Sequence, residues 1–387
     1  MKLAVIGLGQ CGGNIANEFA RLNLRAHVVR GVDIVTSALA VNTDAAELSN
    51  LTHINPDFQH RILIGSRETG GHGVGKINEL GAEVARQNTD RVIMALKNSP
   101  QFLETDAFLL TAGAAGGTGS GSIAVMTQYI KELYANKPIY NLIVLPFKQE
   151  ETAEERGIYN VATCLKSSYL VADAIFLVDN QRFISKGIPT RNDMSRINAM
   201  IVEPFYNLLC AGEEKKFKYI GSKLLDAGDI IQTLEGWTTI GYGQSKTPLV
   251  KSFARDPNDF RNKIVETQKG LQVMLDALSS LSLKCEPVES KRALYLVSAP
   301  DKEINMELVN NLGTHLRKIA PAAEVRSGDY PREKGLLNIT VVMSQISHIE
   351  KIMGYFAKAI NLVSALTRQR QMTSDGNLDF NLIPSLL

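Results

Sequence analysis

Short apolar runs rich in isoleucine, valine and leucine recur through the first half of the chain, at residues 2–7, 61–65, 107–112, 140–147 and 174–178. Runs that are apolar at consecutive positions suit strands buried on both faces of a parallel sheet. Between them lie segments with helical spacing, at 14–22, 77–87 and 120–133. Strand, loop and helix in alternation predict a doubly wound α/β domain, whose ligands sit beyond the carboxyl ends of the strands. The pattern changes at 191–211, where Met194, Ile197, Ile201, Phe205 and Leu208 form one stripe of a long helix. Pro204 falls inside that helix and, lacking an N–H, is expected to kink or interrupt it. A second α/β region follows, with an amphipathic segment at 260–281, strands at 293–298 and 337–343, and helices at 306–319 and 349–366.

Length and composition narrow the class. A chain of 387 residues exceeds what one hydrophobic core usually supports, so two domains are expected. Apolar residues make up 44% and charged residues 21%, as in an ordinary globular protein. The 42 basic and 40 acidic side chains leave a net charge of +2, which provides no general attraction to nucleic acid or anionic membrane. The four cysteines, Cys11, Cys164, Cys210 and Cys285, share no CxxC spacing, and the six histidines are scattered. No metal site and no disulfide framework is expected. The start of the chain runs straight into a strand pattern without a signal-peptide core. The longest apolar stretch, 169–178, contains Asp173 and is too short to insert into a bilayer. These features predict a soluble, cytoplasmic protein.

Candidate chemistry lies in the glycine loops. The strand at 2–7 runs into Gly7-Leu8-Gly9-Gln10-Cys11-Gly12-Gly13-Asn14 and then a helix. Gly7, Gly9 and Gly12 match G-x-G-x-x-G in the context where backbone N–H groups and the helix dipole favour phosphate. An NAD(P)-dependent oxidoreductase stays open on this loop alone, because Asp33 lies about twenty residues on, near the position of a ribose-binding acid. The second loop argues for a longer phosphate chain. After the strand at 107–112 the chain reads Gly113-Ala114-Ala115-Gly116-Gly117-Thr118-Gly119-Ser120-Gly121-Ser122. Five glycines in nine residues let backbone amides wrap a triphosphate, with Thr118, Ser120 and Ser122 adding hydroxyl donors. Close helix–strand packing is expected to account for two of these glycines, not five. A third cluster, Gly70-Gly71-His72-Gly73-Val74-Gly75-Lys76-Ile77, fails the Walker pattern because Ile77 stands where a Mg²⁺-binding hydroxyl belongs.

Taken together, Gly9-Gln10-Cys11-Gly12-Gly13-Asn14, Asn42-Thr43-Asp44 and Gly116-Gly117-Thr118-Gly119-Ser120-Gly121 resemble the tubulin/FtsZ superfamily, and most closely its archaeal CetZ branch. The resemblance implies a nucleotide-binding domain over 1–190, a central connecting helix over 191–216, a smaller α/β domain over 217–369 and a tail over 370–387. It implies a cytoskeletal GTPase that binds GTP or GDP with Mg²⁺ held mainly by phosphates and water, polymerises head to tail, and acts in control of cell shape. The first glycine loop, Gly9 to Asn14, would take the α- and β-phosphates, and Gly113 to Gly121 the β- and γ-phosphates. Asp44 would approach the γ-phosphate, and Gly71 and Gly73 belong to a loop that senses it. Glu150 would contact ribose, although Glu154 stands where the family's arginine is expected, with Arg156 two positions on. Asn14, Asn180 and Asn198 would read guanine, since an amide both donates and accepts. Without the resemblance, each asparagine reads as a turn residue or cap.

The resemblance also locates a catalytic loop in the smaller domain. Leu224-Leu225-Asp226-Ala227-Gly228-Asp229-Ile230 is similar to the N-x-D-x-x-D synergy loop, with Leu224 in place of the asparagine. Asp226 and Asp229 would orient or deprotonate the attacking water in the site of the next subunit, a head-to-tail contact that yields open filaments. Read as residues alone, Asp226 is a helix N-cap. A structural relative that binds nucleotide without turning it over remains an alternative. The apolar tail end, residues 380–387, would hook a partner adaptor or pack on its own second domain.

Overall fold

The structure, a computed structural model, describes residues 1–184, 191–245, 260–301, 304–333, 335–368 and 383–387. Its contacts divide the chain into two units. One comprises Leu3–Arg21, Val35–Met200 and His348–Leu387, and the other Met1–Lys2, Leu22–Ile34 and Ile201–Ser347.

The first unit begins with β1 (Leu3–Leu8), buried at every residue, which runs into α1 (Gly9–Arg30). There follow β2 (Val35–Asn42), the short α2 (Ala45–Ser49), β3 (Arg61–Leu63), α3 (Ser66–Thr69) and α4 (Asn78–Lys97). The alternation continues through β4 (Ala107–Gly113), α5 (Thr118–Leu133) and β5 (Ile139–Leu145). It closes with α6 (Lys148–Ala153), α7 (Glu155–Val171), β6 (Ala174–Asp179) and the first turns of α8 (Arg191–Ala211). The strands lie in the order β3-β2-β1-β4-β5-β6, each pair parallel, with Ile6 opposite both Leu39 and Leu110. This is the doubly wound arrangement that the alternation predicts. Carboxyl ends of β1, β2, β4, β5 and β6 therefore face one edge, where the loops after them converge.

Among the departures from the sequence expectation, those in β2, α1 and α8 trace to particular residues. β2 escaped it because Thr36, Ser37, Ala38 and Ala40 dilute its hydrophobicity, yet the strand is paired on both sides. Helix α1 runs eight residues beyond its apolar stripe. Its last turns are held within the other unit, where Arg25 sits 3.6 Å from the Tyr206 ring and Arg30 4.2 Å from the same ring. Arg25 also forms a two-pronged pair with Glu203 at 2.9 and 2.8 Å, the geometry in which guanidinium–carboxylate contacts are strongest. Pro204 does not break α8, which is continuous from Arg191 to Ala211; the helix forgoes only the bond that its N–H would make to Met200.

The second unit carries α9 (Ala227–Thr233), β7 (Gly236–Gln244), α10 (Phe260–Ser279) and β8 (Ser290–Pro300). α11 (Met306–Ile319), β9 (Glu324–Arg332) and β10 (Asn338–Ile346) complete it. Its sheet order is β7-β10-β8-β9, with β10 antiparallel to both neighbours and β8 parallel to β9. The last helix, α12 (Glu350–Arg368), groups with the first unit, whereas the boundary drawn from sequence put it in the smaller domain. Its Lys351 ammonium lies 2.8 Å from Asp179 at the end of β6 and 3.3 Å from Glu151 on α6. Tyr355 donates to the same Glu151 carboxylate.

Of the tail, residues 370–382 lie outside the described residues. Its last five residues pack on α4 and α7 of the first unit rather than on the second unit. Ile383 is fully buried and Leu386 nearly so. The Leu386 N–H donates to Ser167 Oγ at 3.0 Å, and Lys166 and Arg86 donate to the carbonyls of Ile383 and Leu386. No helix among the described residues is long and apolar enough to cross a membrane.

Two predictions follow from this packing. Leu386→Asp puts a carboxylate into a buried apolar site and is expected to cost about 2 kcal/mol, read as faster amide exchange at residues 166–168. Wild-type protection there would show that the segment is not held. Burial raises the Cys164 thiol from 9.0 to about 12 and the Cys210 thiol to about 11, one in each unit. Both are neutral in the folded and unfolded chain below pH 9. Above it the unfolded thiols ionise first, so stability falls by about 1.4 kcal/mol per pH unit per thiol until the folded values are reached. Urea midpoints at pH 7, 9 and 10.5 should hold and then drop, and Cys164→Ala should flatten the drop in the first unit.

Candidate functional site

The loops at the carboxyl edge of the first sheet enclose a cavity of about 440 Å³. Gly9, Gln10, Cys11 and Asn14 of α1 line it, as do Asp44 after β2 and Gly73 of the third glycine cluster. Gly113, Ala114, Ala115, Gly116, Gly117, Thr118 and Gly119 form its floor, and Glu150, Asn180 and Asn198 complete the wall. The N-termini of α1 and α5 thus open on one space, and neither helix carries an acid in its first turn. Free N–H groups at two helix starts favour phosphate.

Five sequence candidates do not line the cavity: Gly12, Gly13, Gly71, Ser120 and Gly121. A Cβ on Gly12 would lie 2.0 Å from the Thr111 carbonyl oxygen, so this glycine exists for packing against β4. Gly121 meets the Asn78 carbonyl on α4 at 2.1 Å, Gly119 the Leu8 carbonyl at 2.6 Å, and Gly117 the Val74 side chain at 2.5 Å. Gly113 meets Cys11 Cβ at 2.9 Å, and only Gly116 of the five has nothing within 4 Å. Close packing therefore accounts for four of those glycines rather than two. The expected hydroxyl donors are corrected likewise. Ser120 Oγ donates to the Gly116 carbonyl and Ser122 Oγ to Gly81 at 3.3 Å, leaving Thr118 as the hydroxyl on the cavity.

The loops are tied to each other by polar groups. Thr43 Oγ1 and Thr118 Oγ1 are 2.6 Å apart, linking the Asp44 loop to the second glycine loop. The Ala45 N–H donates to the Gly71 carbonyl at 3.0 Å and Gly73 N–H to Thr43 at 3.1 Å, strapping on the third cluster. Gly71 and Gly73 adopt φ of 80° and 81°, a region that other residues enter at a cost. Asp44 Oδ1 accepts from Glu47 N–H at 3.0 Å and caps α2. Glu150 accepts from Phe147 N–H at 2.9 Å, so one of its oxygens is committed locally.

Sequence reading missed the residue that clamps the phosphate loops. Asn160, fully buried on α7, donates its side-chain amide to the carbonyls of Lys76, Ala115 and Gly116 at 2.9, 3.1 and 3.0 Å. No local signal marks it, because α7 was not recognised as a helix. Lys76, Glu47 and His72 were also missed as lining residues. Burial, and then the charge of Asp44, raises the Glu47 carboxyl, against the lowering effect of a 2.6 Å hydrogen bond from Asn42. Burial, with Glu150 adding to it, raises the Cys11 thiol to about 12, so the free thiol stays protonated at neutral pH.

The asparagines differ in an informative way. Asn180 and Asn198 are 7% exposed and both face the cavity. Asn180 Oδ1 is buried without a hydrogen-bond partner, a state that costs free energy unless a ligand donates to it. Asp33 is excluded from the site: it contacts His27 at 3.1 Å and does not line the cavity. That removes the ribose acid of the oxidoreductase alternative.

Asp226 and Asp229 belong to the second unit and are not among the cavity residues. Asp226 caps α9 by accepting from Asp229 N–H at 2.9 Å, and Asp229 accepts from Arg326 at 3.3 Å. The loop before them is shaped by Asp329 on β9, whose carboxylate accepts from the N–H groups of Ser222 and Lys223 at 3.0 and 2.6 Å. Leu225 is buried while Leu224 is 49% exposed.

Comparison with known proteins bears on both units. The model of the Tubulin/FtsZ family GTPase domain matches residues 2–186, and that of the tubulin-like CetZ C-terminal domain matches residues 190–361. Tubulin-like protein CetZ5 of Haloferax volcanii is 30% identical over 97% of this chain and 95% of its own length. CetZ1 of the same organism is 33% identical over 86% and 84%. Among solved structures, the GTPγS-bound protofilament of CetZ2 from H. volcanii superposes with a TM-score of 0.80 at 27% identity, covering 95% of this chain and 100% of that one. The GDP-bound monomer of CetZ1 gives 0.79 at 29%, covering 94% and 99%.

The clamp yields a prediction independent of any ligand. Asn160→Ala removes one donor from three part-buried carbonyls, two of which keep a second partner in Arg156 and Ser120, and is expected to destabilise the first unit by about 1 kcal/mol. Amide exchange at residues 74–77 and 115–117 should accelerate together, and Asn160→Asp, which offers no donor, should be no better. Acceleration confined to one loop would remove the clamp.

Proposed function

Because the chain belongs to the tubulin/FtsZ family and carries a CetZ-type C-terminal domain, we propose that it is a GTP-binding cytoskeletal protein acting in control of cell shape. It assembles head to tail and hydrolyses GTP at the junction between subunits. The observation that carries the nucleotide half is the cavity itself, walled by two helix N-termini and backbone loops, with the orphaned acceptor of Asn180 on its wall. A guanine edge offers N1–H and an exocyclic amine to such an acceptor, whereas the corresponding edge of adenine offers no N1–H. The α- and β-phosphates are assigned to the loop around Gly9 to Asn14, and the terminal phosphates to Gly113 to Thr118. Among the described residues no group of three His, Cys, Asp or Glu is arranged to hold a metal ion. Mg²⁺, which keeps several waters and takes one or two carboxylates beside phosphate oxygens, is assigned mainly to the phosphates and water, beside Asp44 and Glu47.

Hydrolysis rests on Asp226 and Asp229, in the unit that does not contain the cavity. A site whose acids and phosphate cradle belong to different copies needs assembly before it turns over, which the GTPγS-bound protofilament of CetZ2 makes a reasonable model for this chain. The capping role of Asp226 and the exposed Leu224 favour a second reading, nucleotide binding and assembly without turnover.

One experiment separates these readings: sedimentation with GTP, GDP and a non-hydrolysable analogue, coupled to phosphate release. Turnover per subunit should rise steeply with protein concentration. Asp226→Ala and Asp229→Ala should keep nucleotide binding, lose phosphate release by about 100-fold or more, and lengthen polymer lifetime. Full specific activity in dilute monomer would sink the shared-site mechanism, and polymer without phosphate release would establish the second reading.

A further inference from the structure

Four carboxylates line the cavity, those of Asp44, Glu47, Glu150 and Glu154, and among the described lining residues Lys76 is the sole lysine or arginine. A polyphosphate entering such a wall meets like charge unless a cation accompanies it. The Lys76 ammonium lies 2.6 Å from the Glu154 carboxylate, across the cavity mouth from the third glycine cluster to the start of α7. We propose that Lys76 is an exchangeable cation. It rests on Glu154 in the absence of a terminal phosphate and moves onto the terminal phosphate of a bound triphosphate, so that it distinguishes triphosphate from diphosphate. The inference rests on the nucleoside-triphosphate reading of this site and adds to it a residue that touches the phosphate.

Three observations carry it. First, the pair is easily exchanged. The side chains are 57% and 48% exposed, and an ion pair so open to water contributes little. A terminal phosphate carries more charge than a carboxylate and offers three acceptor oxygens, so it competes well for the ammonium.

Second, the backbone of Lys76 is fixed while its stem is free. Its carbonyl accepts from Asn160 at 2.9 Å and from Arg156 at 3.4 Å. It also holds φ of 62°, a left-handed conformation that a non-glycine residue keeps only when its surroundings impose it. A four-carbon stem on an anchored Cα lets the charge move without the loop moving. The Lys76 side chain is 57% exposed, which leaves its stem open to solvent.

Third, the neighbouring cation is placed outside the cavity. Arg156 is not a lining residue, and its guanidinium is committed to Glu79 and to Asn78 Oδ1. Glu154, where the family resemblance leads one to expect arginine, supplies the resting partner that an arginine there would repel.

The test uses the full chain at fixed salt, with GTP, GDP, inorganic tripolyphosphate and pyrophosphate competing against a fluorescent nucleotide. Lys76→Met is expected to weaken GTP and tripolyphosphate about tenfold, the scale of one charge-assisted contact, with GDP and pyrophosphate changed less than about twofold. Lys76→Arg should restore triphosphate affinity. Glu154→Gln, which frees the ammonium, should strengthen it by about threefold. Equal weakening of di- and triphosphates by Lys76→Met, or no change in either, overturns the inference. Loss of tripolyphosphate preference in Lys76→Met from a wild-type chain indifferent to guanine supports the Lys76 assignment and sinks the guanosine reading instead.

Discussion

The site depends on how closely backbone approaches backbone at the start of α5. Gly119 lies against the Leu8 carbonyl at the end of β1, and Gly121 lies against the Asn78 carbonyl at the start of α4. A methyl group at either position would force the segments apart. With the chain this close, the N-termini of α1 and α5 are brought to a common cavity, their unsatisfied N–H groups directed to the same volume. The glycines are thus less a lining for phosphate than the condition for two helices to start side by side. Of the five glycines in the second loop, only Gly116 is open on its Cβ side and so suited to a ligand's own close approach.

Once the loops are close they still have to be held, because loops without regular ladders carry carbonyls that need donors. Asn160 supplies one amide to three of them, and the Thr43–Thr118 hydroxyl contact joins the remaining loop. α12 reaches the same region from the far end of the chain, through Lys351 on Asp179 and Glu151. That network fixes the residues next to Asn180 and Glu150, so this part of the cavity wall is braced by a helix that is remote in sequence. Preorganisation of this kind lets fixed amides bind phosphate without reordering cost.

Charge sets the second condition. The wall is acidic, and helix dipoles and backbone amides offset only part of that repulsion. On the proposed reading a triphosphate needs mobile positive charge, which is assigned to a divalent cation and to Lys76. In the second unit, Asp226 and Asp229 have local partners, a helix N-terminus and Arg326. Those contacts orient the carboxylates, which is compatible with capping and with activating water alike. The two carboxylates thus keep a structural role in each subunit whatever chemistry assembly adds.

The order of apolar runs and glycine loops was enough to name the doubly wound sheet, the helix through Met194 and Leu208, and most lining residues, because each of these rests on local periodicity or on a contiguous motif. Strand β7 was invisible to the same reading. Its Gly241 and Gly243 look like loop residues until α10 is seen to rest on them, with carbonyls of Ala277 and Val273 at 2.1 Å from a built Cβ. β9 was hidden in the same way, by a polar run that includes Gly328, Asp329 and Pro331. The Asn160 clamp, the Lys76–Glu154 pair and the docking of Ile383 and Leu386 join positions 44 to 300 residues apart in the chain. No window along the chain contains both partners of such a contact. Periodicity records which face of an element is buried; what that face is buried against, and which side chain bridges the loops above it, emerges only when distant segments pack.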